Sequence, residues 1–247
     1  MKNNSIIKVS NLKKSYGDLT VLENISLEIY RGDIFVIAGG SGCGKSTLLR
    51  QIIGLEEPSS GEILIDGLSY RTHREEILKK FGMLFQSGGL FASLTLAENI
   101  ALILRKNTNL SSSMISKIVD MKLEAVGLFG FGDYLPSEIS GGMKKRASLA
   151  RAITLDPEIL FFDEPSSGLD PVTSAEMDEL IKDLNSSLST TMVIISHDLE
   201  SIKSIAGDVI LLDKSVKGIL ARGTPSDLAG NDNPIVKNFF NRKPSNS

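Results

Sequence analysis

Cysteine is nearly absent from the sequence, tryptophan is absent, and no hydrophobic run approaches the ~18 residues that a helix needs to span a bilayer. The single cysteine, Cys43, excludes an intrachain disulfide and favours a reducing compartment. A basic excess is also missing, since 27 Lys and Arg against 30 Asp and Glu give a formal net charge of −3. This balance argues against a protein that coats nucleic acid, so no nucleic-acid partner is expected. The polar start, Met1–Asn4, predicts no signal peptide, and any membrane role is expected to come through partner proteins.

The residues that are present predict a folded α/β chain. Hydrophobic residues make up 41% and charged residues 23% of the 247, which excludes disorder as the main state. Roughly the first 35 residues are typical of short strands. Later, apolar strands alternate with candidate helices, which predicts a mostly parallel sheet covered on both faces. The candidate strands are 33–38, 62–65, 83–85, 159–162, 192–195 and 209–212, and the helices between the last three are 171–184 and 199–206.

The middle of the chain differs in character and predicts a mainly helical sub-domain over residues 88–155. Five apolar residues there fall on one helical face, behind candidate N-cap serines at 111–113: Ile115, Ile118, Val119, Leu123 and Val126. A further helix is expected to begin at Met143. The polar tail 231–247 is expected to hold a short amphipathic helix. The whole chain, 1–247, is thus predicted to be one domain, with its core formed by 1–87 and 156–230.

A glycine-rich segment between a predicted strand and a helix predicted over 45–53, which Gly54 could close, fits the pattern G-x-x-x-x-G-K-[ST]. Its residues are Gly39, Gly40, Ser41, Gly42, Cys43, Gly44, Lys45, Ser46 and Thr47. Glycines let successive backbone N–H groups converge on phosphate oxygens, and the helix dipole points at the same anion. Lys45 supplies positive charge for the β and γ phosphates, and the Ser46 hydroxyl is suited to Mg²⁺. The segment therefore predicts a nucleotide site.

Cys43 within this segment has two interpretations. It fills a loop position as a small residue, which we favour, or it is a reactive thiol. Lys45 and a helix N-terminus beside it predict a depressed thiol pKa, ready alkylation and protection by bound nucleotide.

Two other core strands end in residues that can perform chemistry. The apolar strand 159–162 leads into Asp163 and Glu164, which are expected to meet Mg²⁺ and to take a proton from the attacking water. The strand 192–195 leads into Ser196 and His197. Because ligands bind at the carboxyl edge of open α/β sheets, we expect His197 to lie near Lys45 and Glu164. The other histidine, His73, lies in a polar run and is expected at the surface.

With these motifs in place, the chain resembles the ATP-binding subunit of an ABC transporter over nearly its whole length. Five further segments carry the resemblance in the family's order: Tyr16 (adenine-stacking aromatic), Gln86 (Q-loop), Ser140-Gly141-Gly142-Met143 (signature), Ser167-Gly168-Leu169-Asp170 (D-loop) and His197 (switch histidine). The resemblance implies a P-loop NTPase core with a mixed, largely parallel sheet, an N-terminal antiparallel β sub-domain and a helical sub-domain. It also implies hydrolysis of ATP with Mg²⁺, to which Gln86 contributes together with Ser46 and Asp163.

The signature segment adds a prediction about assembly. Ser140–Gly142 precedes the helix expected from Met143 and forms a second anion-binding helix N-terminus, which a monomer with one nucleotide does not need. In the family, two subunits pair head to tail around two ATP molecules, and each signature closes over the other subunit's γ phosphate. We therefore expect a homodimer with an integral membrane permease, and accessory or substrate-binding subunits, on the cytoplasmic face of the cell membrane. In that assembly the helical sub-domain carries the motion and Gln86 lies at its hinge.

Two departures from the common family pattern indicate a branch. Met143 stands where Gln is commonest, and Gln86 is followed by Ser87-Gly88-Gly89-Leu90-Phe91. Both resemble the lipid-asymmetry (Mla) and mammalian-cell-entry (Mce) branch, which moves phospholipids or other hydrophobic substrates. An importer of amino acids or metals, a soluble ABC ATPase outside transport and a binding-only module remain alternatives. Because the sequence reaches Ser247 soon after Phe240, no long C-terminal extension of the kind found in that branch is expected.

Overall fold

The computed structural model describes residues 5–242, so the first and last residues of the predicted N-terminal start and tail lie outside it. The strands are β1 (Ser5–Tyr16), β2 (Leu19–Tyr30), β3 (Ile34–Gly39), β4 (Ser60–Ile65), β5 (Leu68–Ser69), β6 (Phe81–Leu84), β7 (Ile159–Asp163), β8 (Thr191–Ile195), β9 (Asp208–Asp213) and β10 (Gly218–Gly223). The helices are α1 (Lys45–Ile52), α2 (Tyr70–Lys79), α3 (Leu96–Asn107), α4 (Ser112–Ala125), α5 (Gly141–Ala152), α6 (Pro171–Leu188), α7 (Leu199–Ile205), α8 (Pro225–Ala229) and α9 (Pro234–Phe240).

A six-stranded sheet in the order β10-β9-β3-β8-β7-β6 is the middle layer, and all its pairs except β9–β10 are parallel. Every residue of β3 is buried, because alternate side chains enter two different cores. Val36 and Ala38 pack with the helices α3–α7, whereas Phe35 and Ile37 pack with α1 and the second sheet. That second sheet is antiparallel, in the order β2-β1-β4-β5. The mixed fold expected from the sequence is confirmed.

The N-terminal strands differ from the short ones expected. β1 and β2 form one long hairpin of 12 residues each, which turns at Gly17 and Asp18. Register shifts interrupt their pairing between Val9 and Leu12, and Asn11 has a φ of 48°. Because such bulges break the alternation of buried and exposed side chains, the sequence pattern divides a continuous strand into pieces.

Helices α3–α5 occupy the segment predicted to be helical. The predicted face of α4 is buried, with Ile118 partly so, and Ser111 caps it by accepting from the Met114 N–H. Gly54 follows the end of α1 with a φ of 71°, the left-handed geometry in which helices often terminate. In the tail, α9 buries Val236 and Phe240, as its amphipathic pattern predicts.

The polar run around His73 is helix α2, which the sequence analysis did not identify. Only Ile77 of this helix is buried, so its sequence has almost no apolar periodicity to detect. The expectation that His73 is exposed is confirmed.

A closed ring of four charges lies at the opposite end of the sheet from the carboxyl edge. Arg31 pairs with Asp66 and Glu158, and Lys80 pairs with the same two carboxylates at 2.8 and 3.1 Å. Arg31, Lys80 and Glu158 stand shortly before β3, β6 and β7, so the ring joins the starts of three strands to the turn after β4. Among the helices of residues 5–242, none is long and apolar enough to cross a membrane.

Candidate nucleotide-binding site

The glycine-rich segment joins β3 to α1 and lies at the centre of the parallel sheet. Gly39 ends the strand so close to its neighbours that a Cβ would lie 2.5 Å from both the Cys43 Sγ and the Leu212 carbonyl oxygen. Gly44 is the N-cap of α1 with a φ of 104°, and no side chain caps the N–H groups of the first turn. These N–H groups can therefore be donated to an anion at the start of the helix.

The charged end of Lys45 lies within this loop. Its Nζ donates to the carbonyl oxygens of Gly39 and Gly40 at 2.8 and 3.1 Å. The outer members of the predicted set are exposed around it, whereas Gly39, Cys43 and Gly44 are buried beneath: the exposed ones are Gly40, Ser41, Gly42 and Ser46, and Thr47 is half-buried. The loop thus has a closed base and a polar, positively charged mouth.

The expectation of a depressed Cys43 pKa is wrong. Burial raises the pKa of this thiol, and the charge of Lys45 opposes that effect without overcoming it. The side chain is 3% exposed, with its sulfur against the Gly39 backbone. Cys43 therefore fills the base of the loop as a small residue and is not a reactive thiol at the mouth of the loop.

Three neighbouring strands bring the other predicted residues to the same edge. The order β3-β8-β7 aligns the phosphate loop with the ends of β8 and β7, which lead into His197 and Asp163–Glu164. The His197 Nδ1 lies 2.5 Å from a carboxylate oxygen of Glu164, whose side chain is 14% exposed against 65% for the histidine. Glu164 has a φ of 54° and its N–H donates to the Ile195 carbonyl, which holds its left-handed backbone against β8. A reacting water beside this pair would meet a carboxylate already held by a histidine.

Asp163, one residue earlier, is half-buried below Glu164. Burial raises its pKa, the adjacent Glu164 raises it further, and Arg50, Lys145 and Lys45 oppose both. Asp163 ends β7, which is separated from β3 and its phosphate loop by β8 alone.

A carboxylate and a serine hydroxyl are oxygen donors of the kind that Mg²⁺ takes in nucleotide sites. Asp163 and Ser46 at one sheet edge fit such an ion, because Mg²⁺ needs only one or two protein ligands when phosphates supply others. No group of three or more His, Cys, Asp or Glu side chains suited to a metal occurs among residues 5–242, so an all-protein metal cage is not formed there.

Gln86 follows β6, the edge strand beside β7, and is exposed. Its Nε2 donates to the Ser167 Oγ at 3.4 Å, and Lys145 donates to its backbone carbonyl. The segment 85–91, here named the Gln86 loop, also contacts α5 further along the chain: the Arg151 guanidinium donates to Gly89 and lies 5.0 Å from the Phe91 ring centre. Lys145 and Arg151 are not predicted from the sequence as site residues. Their only signal was a helical spacing that places both on the face of Ser148.

Tyr16 ends β1 and is 46% exposed. Its hydroxyl donates to Glu56, and this hydrogen bond raises the Tyr16 pKa, whereas a hydrogen bond with Thr47 lowers it. The Lys14 ammonium lies 5.0 Å from the centre of the Tyr16 ring, which remains partly exposed.

The signature segment begins its helix earlier than expected. Helix α5 starts at Gly141, and Ser140 is its N-cap, with its Oγ accepting from the Met143 N–H at 3.2 Å. Ser140 and Gly141 are exposed, whereas Gly142 is buried against Thr173, where a Cβ would approach to 2.5 Å. No hydrogen bond in the described part of the chain joins this segment to the phosphate loop of its own subunit. Asp170 of the predicted D-loop caps α6 through the Val172 and Thr173 N–H groups.

Comparison with known proteins agrees with this geometry. The family model described as "ABC transporter" matches residues 22–167. The chain belongs to the ABC transporter family: it binds nucleotide and is an ATP hydrolase of that family.

The individual relatives have names that are more specific than the description of the family. The Haemophilus influenzae protein named "Intermembrane phospholipid transport system ATP-binding protein MlaF" is 44% identical, with coverage of 96% of this chain and 91% of that protein. The Mycobacterium leprae protein named "Probable ribonucleotide transport ATP-binding protein mkl" is 41% identical over 95% of this chain and 68% of its own length. Among solved structures, the dimeric ATP-binding cassette MJ0796 with ADP and Pi matches with a TM-score of 0.78 and 30% identity, covering 88% of this chain and 98% of that one.

Proposed function

We propose that the chain is the ATP-hydrolysing subunit of a transporter that moves phospholipid or another hydrophobic substrate through a partner permease. The observation that carries the catalytic part is the contact between Glu164 and His197 at the sheet edge that holds the phosphate loop. The likeness to a phospholipid transport ATPase, over almost the full length of both chains, supports the substrate class.

In this proposal the phosphates lie against the N–H groups of the loop and of α1, with Lys45 leaving the loop carbonyls to meet the β and γ oxygens. Tyr16 stacks on the base. Glu164 accepts a proton from the attacking water, or orients it, and His197 holds the carboxylate and the γ phosphate in register. Ser46 and Asp163, with Gln86 beside them, would hold Mg²⁺, which would supply neutralising charge on the phosphates.

The signature supports a head-to-tail homodimer. Ser140 and Gly141 are exposed at the start of α5, and within the chain nothing in residues 5–242 brings them to the phosphate loop. A second subunit related by a two-fold axis can place this helix N-terminus against the γ phosphate of the first, and the reverse. Loss of that phosphate on hydrolysis then removes the anion that both subunits hold.

We infer that a groove of about 590 Å³ is the docking site for the permease. It lies where β6, α2, α3 and the end of α5 meet, next to the Gln86 loop. Phe85 and Leu78 line it and are 42% and 43% exposed. A permease segment seated there would touch the loop that reaches the hydrolysis edge, and would place the chain on the cytoplasmic face of the cell membrane.

Glu164→Gln tests the catalytic part. We expect turnover to fall at least about 100-fold while ATP still binds, because the amide keeps the side-chain shape and loses the base. A stable dimer should then form on adding ATP, measured by size-exclusion chromatography with light scattering. Glu124→Gln, an exposed change on α4, is the matched control. Turnover of Glu164→Gln near the wild-type rate would reject this role.

The substrate class has a separate test. The chain is purified from its own cells with its permease, reconstituted in proteoliposomes, and assayed for ATP-dependent transfer of labelled phospholipid to acceptor vesicles. Transfer that stops with Glu164→Gln supports the proposal. ATP-dependent movement of an amino acid, a metal ion or a ribonucleotide without phospholipid transfer would overturn it.

A further inference from the structure

Lys145 is almost fully buried and has no role in the proposed mechanism. It lies on α5, three residues after Gly142, with 7% of its surface exposed. Its Nζ donates to the carbonyl oxygen of Gln86 at 2.5 Å and to that of Glu164 at 3.4 Å. Neither partner is a carboxylate, and Lys145 forms no ion pair in the described part of the chain. Burying an ammonium costs free energy unless it is well hydrogen-bonded, so the position calls for an explanation.

The surroundings of Lys145 join three parts of the site. Its backbone belongs to the helix that begins with the signature, and its two acceptors belong to the Gln86 loop and to the end of β7. Burial lowers the pKa of Lys145, and the charges of Asp163 and Glu164 oppose this effect. A single ammonium thus faces the hydrolysis edge from the side of the helical segment.

Structural attachment of the Gln86 loop does not by itself require this lysine. The same face of α5 holds the loop at two other points, three and six residues further on. Ser148 lies under Gly88, where a Cβ would be 2.8 Å from its hydroxyl, and Arg151 donates to Gly89. Of these three contacts, only that of Lys145 also reaches Glu164.

The contact with Glu164 falls at a strained point of the backbone. Glu164 has a left-handed φ of 54°, which a residue with a Cβ seldom adopts without support. Its N–H donates to the Ile195 carbonyl, and its own carbonyl accepts from the Ser167 N–H at 3.2 Å and from Lys145 at 3.4 Å, so both sides of the residue are held. The direction of its side chain toward His197 depends on this backbone.

We propose that Lys145 is a positioning residue for ATP hydrolysis, whose ammonium holds the Glu164 and Gln86 carbonyls in one arrangement with the signature helix. The inference rests on the proposed role of Glu164. The proposed role of Lys145 involves no contact with nucleotide or with the attacking water. It sets where the base stands, and it ties that position to the helix that faces the other subunit's ATP.

The test compares Lys145→Met, Lys145→Arg and, as control, Lys117→Met, an exposed lysine on α4, in the full-length chain purified with its permease. We expect Lys145→Met to lower kcat about tenfold or more while the KM for ATP stays within about twofold, because a displaced base slows the chemical step and not binding. Lys145→Arg, which keeps a charged donor, should recover most of kcat. Lys145→Gln replaces Lys145→Met if the latter does not fold, with the same expected loss.

A second measurement separates positioning from general disruption. In the Glu164→Gln background, adding Lys145→Met should leave the ATP-trapped dimer unchanged, since no base remains to be positioned. Unchanged kcat in Lys145→Met, a rise in KM that matches the loss, or failure of the double variant to form the dimer would each overturn the inference. A wild-type chain that does not hydrolyse ATP would instead overturn the proposed function.

Discussion

Two helix N-termini in this molecule are built in opposite ways. Helix α1 begins after Gly44, which has no side chain to accept from the first turn, and its N–H groups face the loop that Lys45 occupies. Helix α5 begins after Ser140, whose hydroxyl accepts from the Met143 N–H. Both helices have no acidic residue in the first turn, so both present the positive end of a dipole.

This difference fits different roles for the two helix N-termini. In the proposed mechanism, the α1 terminus binds the anion within a single chain, because no side chain caps its N–H donors. The α5 terminus is stable by itself because a side chain already satisfies one donor. It contributes a dipole and an exposed surface, which become useful when another subunit supplies the anion. Substitutions at the two termini should therefore separate ATP binding by the single chain from ATP-driven dimerisation.

The largest effect is expected at α1. Lys45→Ala should weaken ATP binding by the isolated chain about 100-fold, as two charge-assisted hydrogen bonds of roughly 1.5 kcal/mol each are lost. Isothermal titration calorimetry measures this change. Lys144→Ala, at an exposed position on α5, serves as the comparison. Equal affinity in Lys45→Ala and wild type would mean that α1 is not the primary phosphate site.

An acidic residue at the other terminus should have a split effect. Gly141→Glu adds a side chain where a Cβ meets nothing within 4 Å, and a negative charge there favours the helix dipole. Stability and ATP binding by the single chain should be retained. Turnover and ATP-driven dimerisation should fall at least about tenfold, because the carboxylate repels the partner's γ phosphate.

Ser112→Glu places the same charge at the start of α4 and is the matched control for Gly141→Glu. It should leave both dimerisation and turnover unchanged. Normal turnover in Gly141→Glu would show that the α5 terminus does not face a phosphate in the working state.

A moderate effect is expected from removing the cap itself. Ser140→Ala should lower the free energy of unfolding by about 1 kcal/mol, measured by urea denaturation, since the Met143 N–H loses its acceptor. Ser111→Ala removes the equivalent cap of α4 and should cost a similar amount. If only Ser111→Ala were destabilising, the capped character of α5 would be wrong.

The smallest effect concerns the base of the phosphate loop. Since Cys43 is buried and its thiol pKa is raised, N-ethylmaleimide at pH 7 should label the native chain far more slowly than the urea-unfolded chain. Mass spectrometry follows the reaction. Cys43→Ala should change ATP affinity by less than about twofold. Rapid labelling of the native chain would restore the reactive interpretation that the structure argues against.

Much of the architecture could be predicted because strong local signals coincide with it. The apolar strands β3, β7 and β8 are buried on both faces, so their runs stand out, and each ends in residues whose chemistry is recognisable. Helix α2 and the antiparallel strand β10 lacked such signals: α2 buries one residue, and β10 is mostly half-buried. The long hairpin β1–β2 was obscured by its bulges.

The candidate site shows the same division. The loop glycines and Lys45 belong to one motif of fixed spacing, and the strand-end residues are predicted to meet them because ligands bind at the carboxyl edge of the sheet. The contact of Lys145 with the Glu164 carbonyl depends instead on how α5 packs against β6 and β7, a relation between distant segments that spacing does not encode. The pKa of Cys43 was misjudged for a similar reason, because the sequence shows its charged neighbour and not its burial by Gly39 and Leu212.

The ring of Arg31, Asp66, Lys80 and Glu158 has a consequence for handling the protein. Arg31, Lys80 and Glu158 stand at the starts of strands whose other ends lead to the phosphate loop, the Gln86 loop and Glu164. All four side chains are accessible enough for dissolved ions to screen them. Moderate salt should therefore weaken these ion pairs, at the end of the sheet far from the site, before it alters the geometry around Glu164. The protein should therefore unfold at a lower temperature in moderate salt than in low salt.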